Sequence, residues 1–216
     1  MEALRPGILT DDLLAEGIRH LCALHPCFGE VVVRHGSPSL RAMTPGTATL
    51  LNIVTEQFLS LKAARAIWLR IEARLSPFSS DAHLAGPVAE LMGLALRGPR
   101  PRRFHAIAAR LQSAPDYISG LTALPDDEAR ARLVALPGVG PWTADIYLLA
   151  ALQRADVWPA GDLALRQAAT HLFSLGEPLT EKTMWILGNR FSPWRAVAAR
   201  LLWSHYRGLK GLGQAK

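Results

Sequence analysis

Residues 136–145 read LPGVGPWTAD, and they constrain the fold of this chain more than any other stretch. They join two helical patterns through a hairpin that has glycine at two positions, Gly138 and Gly140. Glycine tolerates a positive φ and lets another part of the chain come close. Pro141 suits the first position of a helix, where its missing N–H costs nothing. The hairpin and the new helix therefore present the N–H groups of Gly138, Gly140 and Trp142 on one side, as a potential anion site.

The charge of the chain indicates which anion this hairpin would bind. The net charge is +6, the sequence pI is about 9.9, and most of the basic residues are arginine, whose guanidinium binds phosphate in a bidentate manner. A basic balance alone indicates only an anionic partner. A phosphodiester fits this balance best, while a plain corner between two helices that binds nothing stays open as the alternative.

Length and composition exclude several classes of protein. With 216 residues, of which 50% are hydrophobic, the chain is large enough for a single domain over residues 1–216 with one core. No apolar run is long enough to span a bilayer, and the acidic start at Asp11 and Asp12 does not fit a signal peptide, so we expect a cytoplasmic protein. The two cysteines, Cys22 and Cys27, are too few for a zinc site or an iron–sulfur cluster and are expected to be reduced.

Hydrophobic periodicity predicts an all-α protein. The spacing predicts helices over residues 11–24, 47–75 with a break near 59–60, 81–96, 104–111, 126–135, 141–153, 162–173 and 193–206, and a further helix capped by Thr180. Residues 25–46 are rich in proline and glycine, and they predict an irregular connection with an extended segment at Val31–Val33. Residues 98–103 predict a basic loop, and the tail from Gly208 to Lys216 is expected to be frayed.

Residues 136–170 continue the pattern of the hairpin, with Asp162 downstream of it. This stretch resembles the helix-hairpin-helix DNA glycosylase superfamily, and in particular its 3-methyladenine DNA glycosylase II family. Residues 57–64 (QFLSLKAA), residues 192–195 (SPWR) and the later pair Leu202-Trp203 match further segments of that family, so that the resemblance covers roughly residues 20–207. It implies two helical lobes with the base pocket and the DNA groove between them, without the N-terminal mixed α/β domain of full-length bacterial relatives.

The resemblance implies that Asp162 is the catalytic residue. Cleavage of an N-glycosidic bond leaves a sugar with positive charge, which a carboxylate stabilises while it orients the attacking water. An aspartate before a helix is also a common N-cap, and both roles are compatible because a cap fixes the carboxylate.

The resemblance implies a base pocket formed by Trp142, Ile146, Leu163 and Trp194. Trp142 stands where superfamily members that also nick DNA have a lysine nucleophile, so hydrolysis without strand cleavage is expected. An indole face attracts the cationic ring of an alkylated purine. Ile146 and Leu163 stand where a well-known bacterial relative has tyrosine, which predicts a roomier pocket. The alternative for Trp142 and Trp194 is a core aromatic, and this is the role that we expect for Trp203.

The remaining expected site residues bind the DNA backbone or hold the duplex open. Phe58 follows Gln57 at the position that inserts into the duplex in the family, and an apolar wedge there offsets lost stacking; the alternative is a core phenylalanine. Gln57, Gly138, Gly140 and Thr143 are expected to contact DNA beside it. No redox cofactor is expected, and the resemblance implies a monovalent cation on the backbone carbonyls of Leu136 and Val139.

These residues predict a monomeric, monofunctional glycosylase that flips alkylated bases, such as 3-methyladenine and 7-methylguanine, out of double-stranded DNA and hydrolyses their bond to the sugar. No membrane association is expected. One alternative is a non-catalytic helix-hairpin-helix module, which would explain the hairpin and the charge but would not require Asp162, Trp142 and Trp194 in their places. Another is a bifunctional glycosylase/lyase, against which the absence of a lysine at position 142 argues.

Overall fold

The computed structural model describes residues 7–57, 59, 61–75 and 100–211. Within these ranges the regular structure is helical, and an isolated antiparallel bridge joins Ile8 to Arg154. The prediction of an all-α protein is therefore confirmed for the part of the chain that is described. The predicted wedge Phe58 and the predicted helix over residues 81–96 lie outside it.

The chain divides into two compact units, one of residues 1–42 and 152–216 and the other of residues 43–151. The helices, in chain order, are α1 (Asp11–Leu24), α2 (Pro26–His35), α3 (Thr47–Glu56), α4 (Leu61–Leu75), α5 (Arg100–Gln112), α6 (Asp126–Val134), α7 (Pro141–Ala150), α8 (Leu163–Leu172), α9 (Glu181–Gly188) and α10 (Arg195–Leu209). Short 3-10 segments cover Pro115–Tyr117, Ser119–Ala123 and Asn189–Phe191. Helices α1, α2, α8, α9 and α10 belong to the first unit, and α3 to α7 belong to the second.

Helix α10 forms the centre of the first unit. Its buried positions cover all sides of the helix, and they are Ala196, Val197, Ala198, Ala199, Arg200, Leu201, Leu202, Ser204 and His205. It packs against α1, α2 and α8. The alanines and the valine among these positions allow the neighbouring helices to approach closely. The burial of Arg200 lowers the pKa of its guanidinium to about 10, and this group donates to the carbonyl of Leu40 and to Oε1 of Gln153.

The extended segment predicted at Val31–Val33 is wrong, because these residues lie in α2. Pro26 occupies the first turn of this helix, and the helix ends at Gly36, whose φ is 75°. Phe28 and Val31 are spaced by three residues and are both buried, whereas Val33 is 87% exposed. Burial of one helical face therefore outweighs the weak preference of three valines for a strand.

Helix α7 is a largely buried helix of the second unit, and it packs against α3 and α6. Its buried residues are Thr143, Ala144, Asp145, Tyr147, Leu148 and Leu149. The predicted break in the long pattern over residues 47–75 is confirmed, since α3 ends at Glu56 and α4 begins at Leu61. The hairpin lies between the end of α6 at Val134 and the start of α7 at Pro141.

Two predicted boundaries differ from the structure. The expected basic loop before Phe104 is wrong for its last residues, because α5 already begins at Arg100 and carries Arg102 and Arg103 in its first turn. Pro101 is compatible with this start, since a proline in the first turn loses no hydrogen bond. At the other end of the chain, α10 continues to Leu209, so Gly208 is helical and not frayed. No helix among the described residues is long and apolar enough to cross a membrane.

The packing of α1 on α10 predicts the outcome of a glycine substitution. A Cβ atom at Gly17 would lie 2.6 Å from Cε3 of Trp194 and 2.9 Å from Cγ2 of Val197, both below normal contact. We expect Gly17→Ala to lower the free energy of unfolding by ~1–3 kcal/mol, as overpacked cores do.

Gly29→Ala is the matched control, because Gly29 also lies inside a helix but a Cβ atom added there would have no neighbouring atom within 4 Å. Alanine should stabilise that helix by roughly 0.5–1 kcal/mol. Urea denaturation of both variants measures the difference. Equal effects of the two substitutions would contradict the close packing at Gly17.

Candidate active site

Asp162 is the N-cap of α8, as predicted. Its Oδ1 accepts a hydrogen bond from the backbone N–H of Leu165 at 2.8 Å and one from Nε1–H of Trp203 at 3.3 Å. The residue is half-buried. Two N–H donors from two different helices therefore fix the orientation of this carboxylate.

The segment before Asp162 is anchored to the start of α10. The carboxylate of Asp156 accepts two hydrogen bonds from the guanidinium of Arg195, both at 2.9 Å, in a bidentate pair. It also accepts from the hydroxyl of Ser192 at 2.8 Å and from the N–H of Arg195 at 3.3 Å. Four hydrogen bonds thus hold this end of the segment, and they explain why the SPWR motif matters for the position of Asp162.

Trp158 anchors the same segment at a second point. This side chain is fully buried, and its Nε1–H donates to the carbonyl of Met184 at 2.9 Å. A Cβ atom at Gly188 would clash with the indole nitrogen, so glycine is required where α9 meets this ring. The backbone that leads into Asp162 is therefore packed on α9 as well as on α10.

The burial of the two tryptophans of the C-terminal motif differs from that expected. Trp194, the predicted pocket aromatic, is only 3% exposed and packs against Gly17 and the ring of His20. Trp203, the predicted core aromatic, is half-buried and donates to Asp162. This burial favours the core alternative for Trp194, and Trp203 is the tryptophan of this pair whose indole contacts Asp162. The signal that could have identified it is its indole N–H, which needs an acceptor wherever the ring is buried.

On α7, the predicted pocket residues share one stripe. Trp142, Ile146 and Ala150 are spaced by four residues, and each is half-buried while the residues between them are buried. This stripe is therefore the face of α7 that a ligand can contact. Leu163, the other predicted aliphatic wall, follows Asp162 directly and is 60% exposed.

The hairpin has the backbone features that its sequence predicts. Gly138 has a φ of 79°, which favours glycine, and Gly140 is the N-cap of α7. Val139 N–H donates to the carbonyl of Leu136 at 3.1 Å and closes the turn. Within the described ranges, no backbone oxygen accepts from the N–H of Gly138 or Gly140. An anion is therefore a compatible partner for these two groups.

The buried carboxylate of Asp145 connects the two helices that flank the hairpin. Its Oδ1 lies 2.7 Å from Nε of Arg130, and its Oδ2 lies 2.8 Å from Nη2 of the same residue. Arg130 lies on α6 and Asp145 on α7, so this ion pair joins the two helices at which the chain enters and leaves the hairpin. Asp145 is thus structural.

The side chains of Gln57 and Thr143 are buried and bind within the protein, so a direct contact of either residue with DNA stays a prediction. Gln57 is 8% exposed, and its amide nitrogen donates to Oγ1 of Thr143 at 2.7 Å and to the carbonyl of Gly138 at 3.3 Å. Its Oε1 accepts from Nη1 of Arg103 at 2.6 Å. Thr143 is 1% exposed. Both residues support the hairpin from inside, because the amide of glutamine has donors and an acceptor that burial forces into use.

Comparisons with known proteins agree with this description, although no protein-family model matches the chain. The "Probable bifunctional transcriptional activator/DNA repair enzyme AlkA" of Mycobacterium tuberculosis is 39% identical over 112 residues, which are 51% of this chain and 21% of that protein. The chain thus spans about a fifth of the length of this relative. "DNA-3-methyladenine glycosylase 1" of Schizosaccharomyces pombe is 31% identical over 165 residues, which are 71% of this chain and 69% of that protein.

A solved structure extends the likeness to the fold. The 3-methyladenine DNA glycosylase Mag1 of Schizosaccharomyces pombe, in complex with abasic DNA, matches with a TM-score of 0.76 at 25% identity. The match covers 87% of this chain and 95% of that one. The resemblance inferred from the hairpin and the SPWR motif is confirmed, and the chain belongs to the DNA-3-methyladenine glycosylase family of helix-hairpin-helix proteins.

Proposed function

We propose that this chain is a monofunctional DNA glycosylase that excises alkylated bases from double-stranded DNA by hydrolysis, as a step of base excision repair. The observation that carries this proposal is the carboxylate of Asp162, which Leu165 and Trp203 hold in one orientation. Family membership and the names of the relatives support the substrate class. We further propose that the protein acts as a monomer in the cytoplasm on 3-methyladenine, 7-methylguanine and other alkylated bases.

Asp162 carries out the electrostatic part of the reaction in this proposal. As the bond between base and sugar lengthens, positive charge develops on the sugar, and a fixed carboxylate stabilises that charge. The same carboxylate orients a water molecule and accepts its proton as the water attacks the sugar. Because two N–H groups fix the carboxylate in advance, little reorganisation is needed during the reaction.

The half-buried stripe of α7 binds the flipped base. The indole of Trp142 offers a face for stacking, and a purine methylated on a ring nitrogen is cationic, which strengthens its attraction to that face. The cationic base is also a better leaving group, so the enzyme has little need for a general acid. Trp142 has no amine, so water rather than the protein is the nucleophile.

The hairpin binds the DNA backbone. The N–H groups of Gly138 and Gly140 contact a phosphate beside the start of α7, where the helix dipole favours negative charge. The carbonyl oxygens of Leu136 and Val139 are of the type that hard cations prefer. The carbonyl oxygen of Leu136 accepts one hydrogen bond, from the N–H of Val139, and keeps a second lone pair. The two carbonyls therefore fit a monovalent cation, which would add positive charge near the phosphate.

Replacement of the catalytic carboxylate tests the proposal directly. We expect Asp162→Asn to reduce single-turnover base release by ~10²-fold or more, because the charge that stabilises the sugar is lost. Asparagine is as good an N-cap as aspartate, so stability and affinity for abasic DNA should change little. Excision from a duplex with one methylated base and binding are measured in parallel. Excision within about tenfold of the wild type would contradict the assignment of Asp162.

The type of reaction has its own test. Trp142 cannot form a covalent adduct with the sugar, so the abasic product should be cleaved only after alkali is added. Borohydride added during turnover should trap no complex between enzyme and DNA. A bifunctional glycosylase assayed beside it serves as the positive control for trapping. A trapped adduct would show that another residue supplies an amine, and it would overturn the monofunctional proposal.

The aliphatic side chains of Ile146 and Leu163, proposed to line the base pocket, predict a broad substrate range. Hydrophobic pockets discriminate weakly, by about 1–3 kcal/mol for a change of one methylene, and neither Ile146 nor Leu163 adds a ring that would select one base shape. We expect excision of several alkylated bases, including methylated pyrimidines, at rates within roughly 200-fold of one another. The Ile146→Tyr, Leu163→Tyr double variant should narrow this range. Rates are compared on matched duplexes that differ only in the lesion, and an unchanged range in the double variant would contradict the role of these positions.

A further inference from the structure

A polar cluster lies against the hairpin, and the function proposed above gives its side chains no part. We call it the Gln57 cluster, and it consists of Gln57, Arg103, Gly138 and Thr143. Gln57 joins three elements of the second unit, because it ends α3, binds the first turn of α5 through Arg103, and binds the hairpin and α7 through Gly138 and Thr143. A single amide thus connects segments that are far apart in the sequence.

The bonds of Gln57 constrain the conformation of the hairpin. Its amide nitrogen donates to the carbonyl of Gly138 at 3.3 Å, which orients the peptide plane between residues 138 and 139. It also donates to Oγ1 of Thr143 at 2.7 Å, on the first turn of α7. Because Gly138 has a φ of 79°, its backbone has other accessible conformations, and the two bonds select one of them. The N–H groups proposed to bind phosphate belong to this same short stretch.

Arg103 lies directly on the hairpin. A Cβ atom at Gly138 would be 2.6 Å from both Cγ and Cδ of Arg103, so the aliphatic part of the arginine crosses the glycine at close range. Its Nη1 donates to Oε1 of Gln57 at 2.6 Å, a short charge-assisted bond. The residue is half-buried. Within the described ranges no carboxylate lies within 4.0 Å of its guanidinium, which has four further N–H donors.

We propose that Gln57 is a positioning residue for DNA-backbone binding: it fixes the hairpin through Gly138 and Thr143, and it holds the guanidinium of Arg103 beside the hairpin as a charged ligand of the same DNA phosphate. This inference rests on the proposed function, in which the hairpin binds DNA. The phosphate site therefore combines backbone N–H groups with one arginine. Gly138 is required there for its φ and for the room that the arginine takes.

The salt dependence of DNA binding distinguishes this role from simple stabilisation of the fold. The slope of log K against log salt concentration is negative, and each lost phosphate contact lowers its magnitude, here called the salt slope, by about 1. Affinity for a duplex with an abasic-site analogue is measured between about 50 and 200 mM salt for the wild type, Gln57→Ala, Arg103→Leu and the double variant. Thermal unfolding of each protein is measured in the same buffers.

We expect Arg103→Leu to lower the slope by about 1 and to weaken binding by about tenfold at the lowest salt concentration. Gln57→Ala should weaken binding and lower the slope at least as much, because neither Arg103 nor the hairpin is then held in place. The double variant should bind no more weakly than Gln57→Ala, since the arginine acts only when Gln57 holds it. Single-turnover excision at saturating DNA should stay within about threefold of the wild type in all three, as expected for a loss of ground-state binding.

Thr55→Val is the matched control. Thr55 is also buried, lies on α3 two residues before Gln57, and donates only to the carbonyl of Leu51 within its own helix among the bonds described. It should lose stability without a change in the salt slope. If Gln57→Ala does not fold, Thr143→Val takes its place, because it removes one of the two acceptors with little change in shape; a smaller loss of affinity is then expected.

The outcomes separate the two proposals. A wild-type protein that neither binds the duplex nor releases a base overturns the proposed function and this inference with it. A wild-type protein that does both, with a salt slope unchanged in Gln57→Ala and Arg103→Leu, overturns only this inference. A slope that falls equally in Thr55→Val would also overturn it, because the effect would then come from general destabilisation.

Discussion

The ion pair between Asp156 and Arg195 is the contact on which the position of the candidate catalytic carboxylate depends. It fixes the segment that leads into Asp162 at the first residue of α10. About two turns later, the same helix presents Trp203, which donates to Asp162 itself. One helix thus contacts the segment at both of its ends, and because α10 is buried on all sides, neither contact can shift without repacking of the first unit.

In the second unit, an ion pair and a buried amide together hold the hairpin in its conformation. The hairpin is irregular backbone with a glycine at positive φ, so its shape must be imposed by its neighbours. The Arg130–Asp145 pair joins the flanking helices, and the amide of Gln57 sets the peptide plane inside the turn. The neutral amide of Gln57 suits the inside of the turn, because a buried carboxylate there would compete with a bound anion for the same N–H donors.

Local features of the chain were predictable, and features that depend on packing were not. The hairpin, the start of α7 at Pro141 and the N-cap role of Asp162 follow from a few consecutive residues, and the structure contains all of them. The valines of α2 have a strand-like local preference, and only the burial of Phe28 and Val31 against other helices makes them helical. The partner of Arg195 is 39 residues away, and no spacing in the sequence indicates such a pair.

The unexpected burial of Gln57 and Trp194 has a common physical cause. Both residues match family motifs, and a motif contains the residues that touch a ligand together with those that hold them in place. Burial separates the two classes: Trp194 packs on Gly17 and cannot offer a face to a base, while Trp203, nine residues later, is half-buried and reaches Asp162. A buried aromatic or amide in a motif therefore argues for a supporting role, and the candidates for substrate contact are the residues that the packing leaves partly exposed, such as Trp142 and Ile146 on α7.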